Sequence, residues 1–105
     1  MPDTTAPTTL HIRGEFTIFT ANVLKEWLLD TIAQATTQDI EINLSDVVDI
    51  DSAGLQLMVM AQREAHRLGQ CIHFQCHSHP VLSLIRLCGL ASVFGVPDLP
   101  TGQQQ

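Results

Sequence analysis

The stretch from Val47 to Ala61, VVDIDSAGLQLMVMA, places one hydroxyl, Ser52, between an aspartate-rich segment and a run of apolar residues. Three kinds of chemistry are open to it. As a nucleophile it would need the G-x-S-x-G turn, but Ile50 stands where the first glycine belongs, and no histidine is tied to Ser52 by spacing. As a helix N-cap it would accept a hydrogen bond from a backbone N–H of the first turn, which serine does well. As an acceptor of phosphate it would place roughly −1.5 to −2 charges where free N–H groups and the helix dipole tolerate an anion. Asp46, Asp49 and Asp51 oppose that last state by repulsion, so a phosphate is expected to disturb the surface there. Capping and modification remain open together, and a catalytic residue is not expected.

Two other groups of residues could hold a metal, and neither fits. Read as a calcium loop from Asp49, the segment has Asp51 and Gly54 in place, but Ala53 and Met60 stand where oxygen ligands belong. The run CIHFQCHSH holds Cys71, His73, Cys76, His77 and His79, yet strand alternation sends Cys71 and His73 to one face and Cys76 to the other. Solvent-facing histidines and a buried Cys76 are the expectation, with no metal and no cofactor; no glycine-rich phosphate loop is present.

The elements that must position Ser52 follow from periodicity. Leu10 and Ile12, then Phe16 and Ile18, alternate with polar residues around Gly14, which predicts a hairpin of two short strands. From Thr20, a ready N-cap, the period becomes that of a helix: Val23, Leu24, Trp27, Leu28, Thr31, Ile32 and Ala35. Ile40, Ile42 and Leu44 alternate as a strand, followed by an aspartate-rich loop. Ser52 to Leu68 reads as a helix ended at Gly69. CIHFQC is a strand; Ser78 or His79 caps a short helix that begins near Pro80, carries Val81, Leu84, Ile85 and Cys88 on one stripe, and stops at Gly89. LASVFGV is either a last strand or an irregular turn. The order β-β-α-β-α-β-α predicts an α/β domain with helices packed on a mixed sheet.

Plotted at about 100° per residue, the second helix gathers Leu57, Ala61, Ala65 and Leu68 on one side with Met58 beside them, the predicted core stripe. Ser52, Gln56, Arg63 and Arg67 lie opposite, flanked by Val59 and Met60, two apolar residues on the polar side. They either touch a neighbouring element or form a partner-binding surface with Ser52 at its end.

Composition sets the outer limits. The chain has 105 residues, enough for one domain, with 45 % hydrophobic residues and a net charge of −6. A phosphate backbone would be repelled, so nucleic acid is not an expected partner. The longest apolar run is too short to cross a bilayer. MPDTTAPTT has neither the basic start nor the apolar stretch of an export signal, and three cysteines without a CxxC pair suit a reducing compartment, so a cytoplasmic location is expected. The expected layout is loose ends at 1–7 and 98–105 around a domain at 8–97.

The strand IEINL, the helix start DIDSAGL, the helix closing at RLG, the strand CIHFQC and the segment VLSLIRLCGL resemble, in order and spacing, the STAS domain of anti-sigma factor antagonists and of sulphate transporter tails. The similarity runs from about Leu10 to Val96, and DSAGL with the later LCGL carries most of it. The resemblance implies a mixed sheet of four to five strands with helices against it, and a phosphorylatable serine at the start of the second helix, here Ser52. It further implies a partner that is both anti-sigma factor and serine kinase, a phosphatase that reverses the modification, and a surface for the partner formed by Asp49, Asp51, Ser52, Ala53, Gln56, Val59, Met60 and Arg63. Such a protein is a binder and a substrate, not an enzyme. Ala53 stands where many relatives carry a second hydroxyl, which leaves Ser52 as the one acceptor. The family also includes subunits of lipid-transporting ABC complexes and members linked to chemotaxis, two-component systems and stressosomes.

Overall fold

Alternating apolar residues draw three segments into one sheet. The computed structural model describes residues 8–97; the predicted loose ends lie outside the described residues. The chain forms β1 (Thr8–Phe16), α1 (Ala21–Gln34), β2 (Asp39–Ile50), α2 (Ser52–Arg67), β3 (Cys71–Gln75) and α3 (His79–Leu87). The strand order is β1-β2-β3, and both pairings are parallel. Each strand is joined to the next by a helix, as parallel neighbours require.

Two expectations fail here. Among the described residues the sheet has three parallel strands, not four to five in a mixed arrangement. The predicted hairpin at Gly14 is absent, because residues 8–16 run as one strand along β2 with register shifts at His11/Arg13 and Gly14/Glu15. Gly14 takes φ +77°, but it serves the second of these irregularities, not a reversal. The physical reason is the length of β2: its twelve residues pair with eight of the nine residues of β1, all but Ile12, so the whole segment is held as one strand. Leu10, Ile12 and Phe16 then bury on the same side.

β2 is also longer than its sequence suggested. The aspartate-rich segment is strand, not loop: after Ile40, Ile42 and Leu44 an extra residue shifts the alternation, so Val47 is buried while Val48 is 69 % exposed. Carried on to Ile50, the strand delivers the chain directly to the start of α2.

The helices cover the apolar face of this sheet. Leu28 and Ile32 of α1, Leu57, Met58, Ala61 and Ala65 of α2, and Val81 and Ile85 of α3 join one core with Ile40, Ile42, Leu44 and Phe74. Leu68, expected in the α2 stripe, is exposed at the C-cap instead. Gly69, at φ +76°, turns the chain, and Gln70 N–H donates to Ala65 O at 2.8 Å. Residues 91–95 form turns, which decides the alternative left open for LASVFGV; Phe94 meets Phe74 edge to face at 5.6 Å. Cys76, expected to be buried, is exposed at φ +57° just past the end of β3, and Cys71 and Cys88 are exposed too.

The opposite face of the sheet is polar. His11 meets Asp46 at 3.0 Å, His73 meets Asp39 at 3.1 Å, and Gln75 donates to Glu41 at 3.1 Å.

Candidate functional site

Ser52 is not the N-cap. That role falls to Asp51, whose extended backbone (φ −128°, ψ −171°) lets Oδ1 accept from Ala53 N–H at 2.9 Å and Gly54 N–H at 3.2 Å. Its other oxygen, Oδ2, accepts from Ile18 N–H at 3.0 Å. One carboxylate thus caps α2 and holds the turn between β1 and α1 against it. The hydrogen bond from Ile18 is the main cause of a pKa below the usual carboxylate range, with the two helix N–H groups adding to it against a desolvation that works the other way.

With the cap supplied by its neighbour, Ser52 is the first residue of α2, exposed, and its hydroxyl is left available. The helix start is fixed from below as well. Gly54 is buried where a Cβ would overlap the carbonyl oxygen of Phe16 and press on Ile50 Cγ1 at 3.0 Å. Only glycine allows α2 to sit this close to the end of β1.

From Ser52 the outward face of α2 borders a groove of about 400 Å³. Ser52, Gln56, Val59, Met60 and Arg63 line it from α2 with Leu55 at its base, and Cys88 and Leu90 close the far side. Val59 and Met60 are half-buried against the core, which bears out the contact with neighbouring elements, and both also form groove wall. Leu55, Cys88 and Leu90 were not expected here. The signal for Leu90 was Gly89, whose φ of +70° ends α3, after which Leu90 N–H donates to Ile85 O at 2.9 Å.

Of the predicted surface residues, Ser52, Gln56, Val59, Met60 and Arg63 come together at the groove. Asp49, Asp51 and Ala53 are not part of its lining. Asp49 is exposed on β2 opposite Glu15, and Asp51 faces the cap and the Ile18 turn. That turn carries a feature the sequence reading missed: Ile18 and Phe19 are 65 % and 89 % exposed, on the segment held by Asp51. The α1 residues Val23 and Trp27, expected on the buried stripe, are exposed as well. The Cys/His run does not converge: among the described residues, no group of three or more His, Cys, Asp or Glu side chains is placed to hold a metal ion.

The family model described as "Mlab, STAS domain" matches residues 2–97. Among solved structures, the unphosphorylated anti-sigma factor antagonist SpoIIAA superposes with a TM-score of 0.71 at 18 % identity, over 97 % of this chain and 88 % of that one. The phosphorylated form of the Bacillus cell fate determinant SpoIIAA gives 0.62 at 17 % identity, covering 90 % and 84 %. A SulP transporter STAS domain from Vibrio cholerae gives 0.63 at 18 % identity, covering 90 % and 71 %. At these identities the likeness establishes the fold.

Proposed function

The chain belongs to the STAS domain family, and from that premise we propose that it is a protein-binding switch of the anti-sigma factor antagonist kind, set by phosphorylation of Ser52. The partner in this reading is an anti-sigma factor that is also a serine kinase; a phosphatase restores the hydroxyl. The protein acts in the cytoplasm, as binder and phosphate acceptor and not as an enzyme. No helix among the described residues is long and apolar enough to cross a membrane.

The observation that carries the proposal is the position of Ser52: exposed, released from capping by Asp51, and at the mouth of an apolar groove. A kinase can reach a hydroxyl so placed, and a partner seated in the groove must pass over it. Attaching phosphate adds roughly −1.5 to −2 charges next to the Asp51 carboxylate, so docking would have to desolvate a dianion beside another anion. A penalty of about 1.4 kcal/mol already lowers affinity tenfold. The phosphate would also compete for the Ala53 and Gly54 N–H groups that Asp51 now holds.

Incubation with ATP and the kinase encoded beside this gene, followed by mass-spectrometric mapping, is expected to place phosphate on Ser52. Modification elsewhere, or none, defeats the switch. Ser52→Ala is expected to bind the partner, and Ser52→Asp to bind it at least tenfold more weakly.

A second reading, from a different class, is a constitutive subunit of a lipid-transporting ABC assembly that docks through the same face of α2. It predicts co-purification with an ATPase subunit, no phosphate on Ser52, and a Ser52→Asp phenotype of altered permeability without altered transcription.

A further inference from the structure

The groove beside Ser52 is apolar along its length but charged at one end, and that polarity describes an occupant. We propose that it receives an amphipathic helix of the partner, which inserts a bulky apolar side chain between α2 and Leu90 and presents a carboxylate to Arg63. The proposal rests on the outer face of α2 being the docking surface and adds what that surface recognises.

Charge complementarity selects this occupant. Arg13 reaches Asp46, Arg67 is held by Glu64 with Nη2 to Oε2 at 2.7 Å, and Arg86 donates to Pro97 O at 3.1 Å. Among the described residues, Arg63 alone of the arginines has no such engagement. It is exposed on the groove rim with five N–H donors in a planar fork suited to a carboxylate. On a chain of net charge −6 an acidic segment is repelled in most places, so an attractive contact at Arg63 discriminates. At the other end Ser52 lines the groove, and Asp51, next to it in the chain but outside the lining, favours a neutral residue or a cation over an acid.

Length fixes the register. Ser52 and Arg63 are eleven residues apart on one helix, roughly 16 Å at 1.5 Å per residue, so a docked helix of three turns spans both ends. Between them Met60 and Val59 offer a wall that adapts to the inserted side chain.

The probe is a phage-displayed library of 16-residue peptides, panned on the whole protein. Enriched sequences are expected to carry a large apolar residue with Glu or Asp about one turn to one side and Lys or Arg toward the other end. The best peptide, synthesised, should shift the amide resonances of Leu55, Met60 and Leu90, and lose tenfold or more in affinity against Arg63→Glu. Arg63→Lys should lose less, and replacing the peptide acid by Lys should restore binding to Arg63→Glu. Arg63 is exposed, so unchanged melting temperatures will establish that these variants are folded. No enrichment, shifts confined to another surface, or affinity within twofold for Arg63→Glu would each overturn the proposal. Ser52→Asp, measured with the same peptide, separates the two ideas: sensitivity to Arg63→Glu alone supports the groove and counts against the switch. Sensitivity to Ser52→Asp alone rejects the groove's charge reading and leaves the switch standing.

Discussion

At Ser52 the decisive neighbour is Asp51. A serine that capped its own helix would have its oxygen engaged by a backbone N–H; here the aspartate takes that bond, and also ties Ile18 N–H to the helix start. Asp51→Ala should therefore lower the melting temperature and loosen the turn at residues 17–19, read as faster amide exchange at Ile18; an unchanged exchange rate there would contradict the double role. The lowered pKa gives the sign of the pH effect. A carboxylate whose folded pKa lies below its unfolded value stabilises the protein above the ordinary carboxylate range, and that contribution disappears as pH falls through the folded pKa. Asp51→Asn should accordingly flatten part of the acid limb of a stability profile below about pH 4. Gly54 sets the other constraint. A methyl group forced against the Phe16 carbonyl is overpacking against backbone, which does not yield as a side-chain end would. Gly54→Ala is expected to destabilise the fold by about 1–3 kcal/mol or more, measured by urea unfolding, even though alanine is the better helix former.

The elements show which physical signals survive in a sequence and which do not. α2 was legible because period, cap region and terminal Gly69 agreed, and its core residues Leu57, Met58, Ala61 and Ala65 are all buried. The outward face with Ser52, Gln56 and Arg63 followed from the same phase. Lost to sequence was everything set by pairing between distant segments. Gly14 signals a break in alternation, but whether the chain reverses or bulges depends on the strand beside it, and β2 lies more than twenty residues further on. The aspartates of β2 hid a strand because a bulge moved its apolar residue from the even to the odd series. The far side of the groove, Cys88 and Leu90, is brought in by the packing of α3, which no local pattern encodes. The bulged strand itself can be tested by a pair of substitutions: Val48→Lys, on the open side, should leave stability within about 0.5 kcal/mol, while Val47→Lys, adjacent but wholly inside, should abolish cooperative unfolding. Equal effects in urea titrations would mean that the strand does not extend through Asp49.

The molecule as a whole sets a helical layer on one face of a parallel sheet and leaves the other face polar, with its His11–Asp46 and His73–Asp39 pairs. On the helical side the apolar groove and the exposed Ile18 and Phe19 flank the start of α2. Stability at mildly acidic pH draws on a different group, His77 in the link between β3 and α3. His77 is partly buried there with Nδ1 lacking a hydrogen-bond partner, and desolvation, with the nearby Arg86 charge adding to it, pushes its pKa below the usual histidine value. The unfolded chain then takes up a proton at a higher pH than the folded one does. Stability due to the neutral ring is fully present above the unfolded pKa, about 6.5, and is lost as pH falls from there through the folded pKa. Thermal unfolding followed by circular dichroism from about pH 7.5 to about pH 5 should show a falling midpoint over this interval, with a shallower fall for His77→Gln. Because His77 does not line the groove, the same variant should bind the partner at about pH 7.5 as the unmodified protein does; a parallel loss of binding would mean that the β3–α3 link shapes the docking face through Leu90.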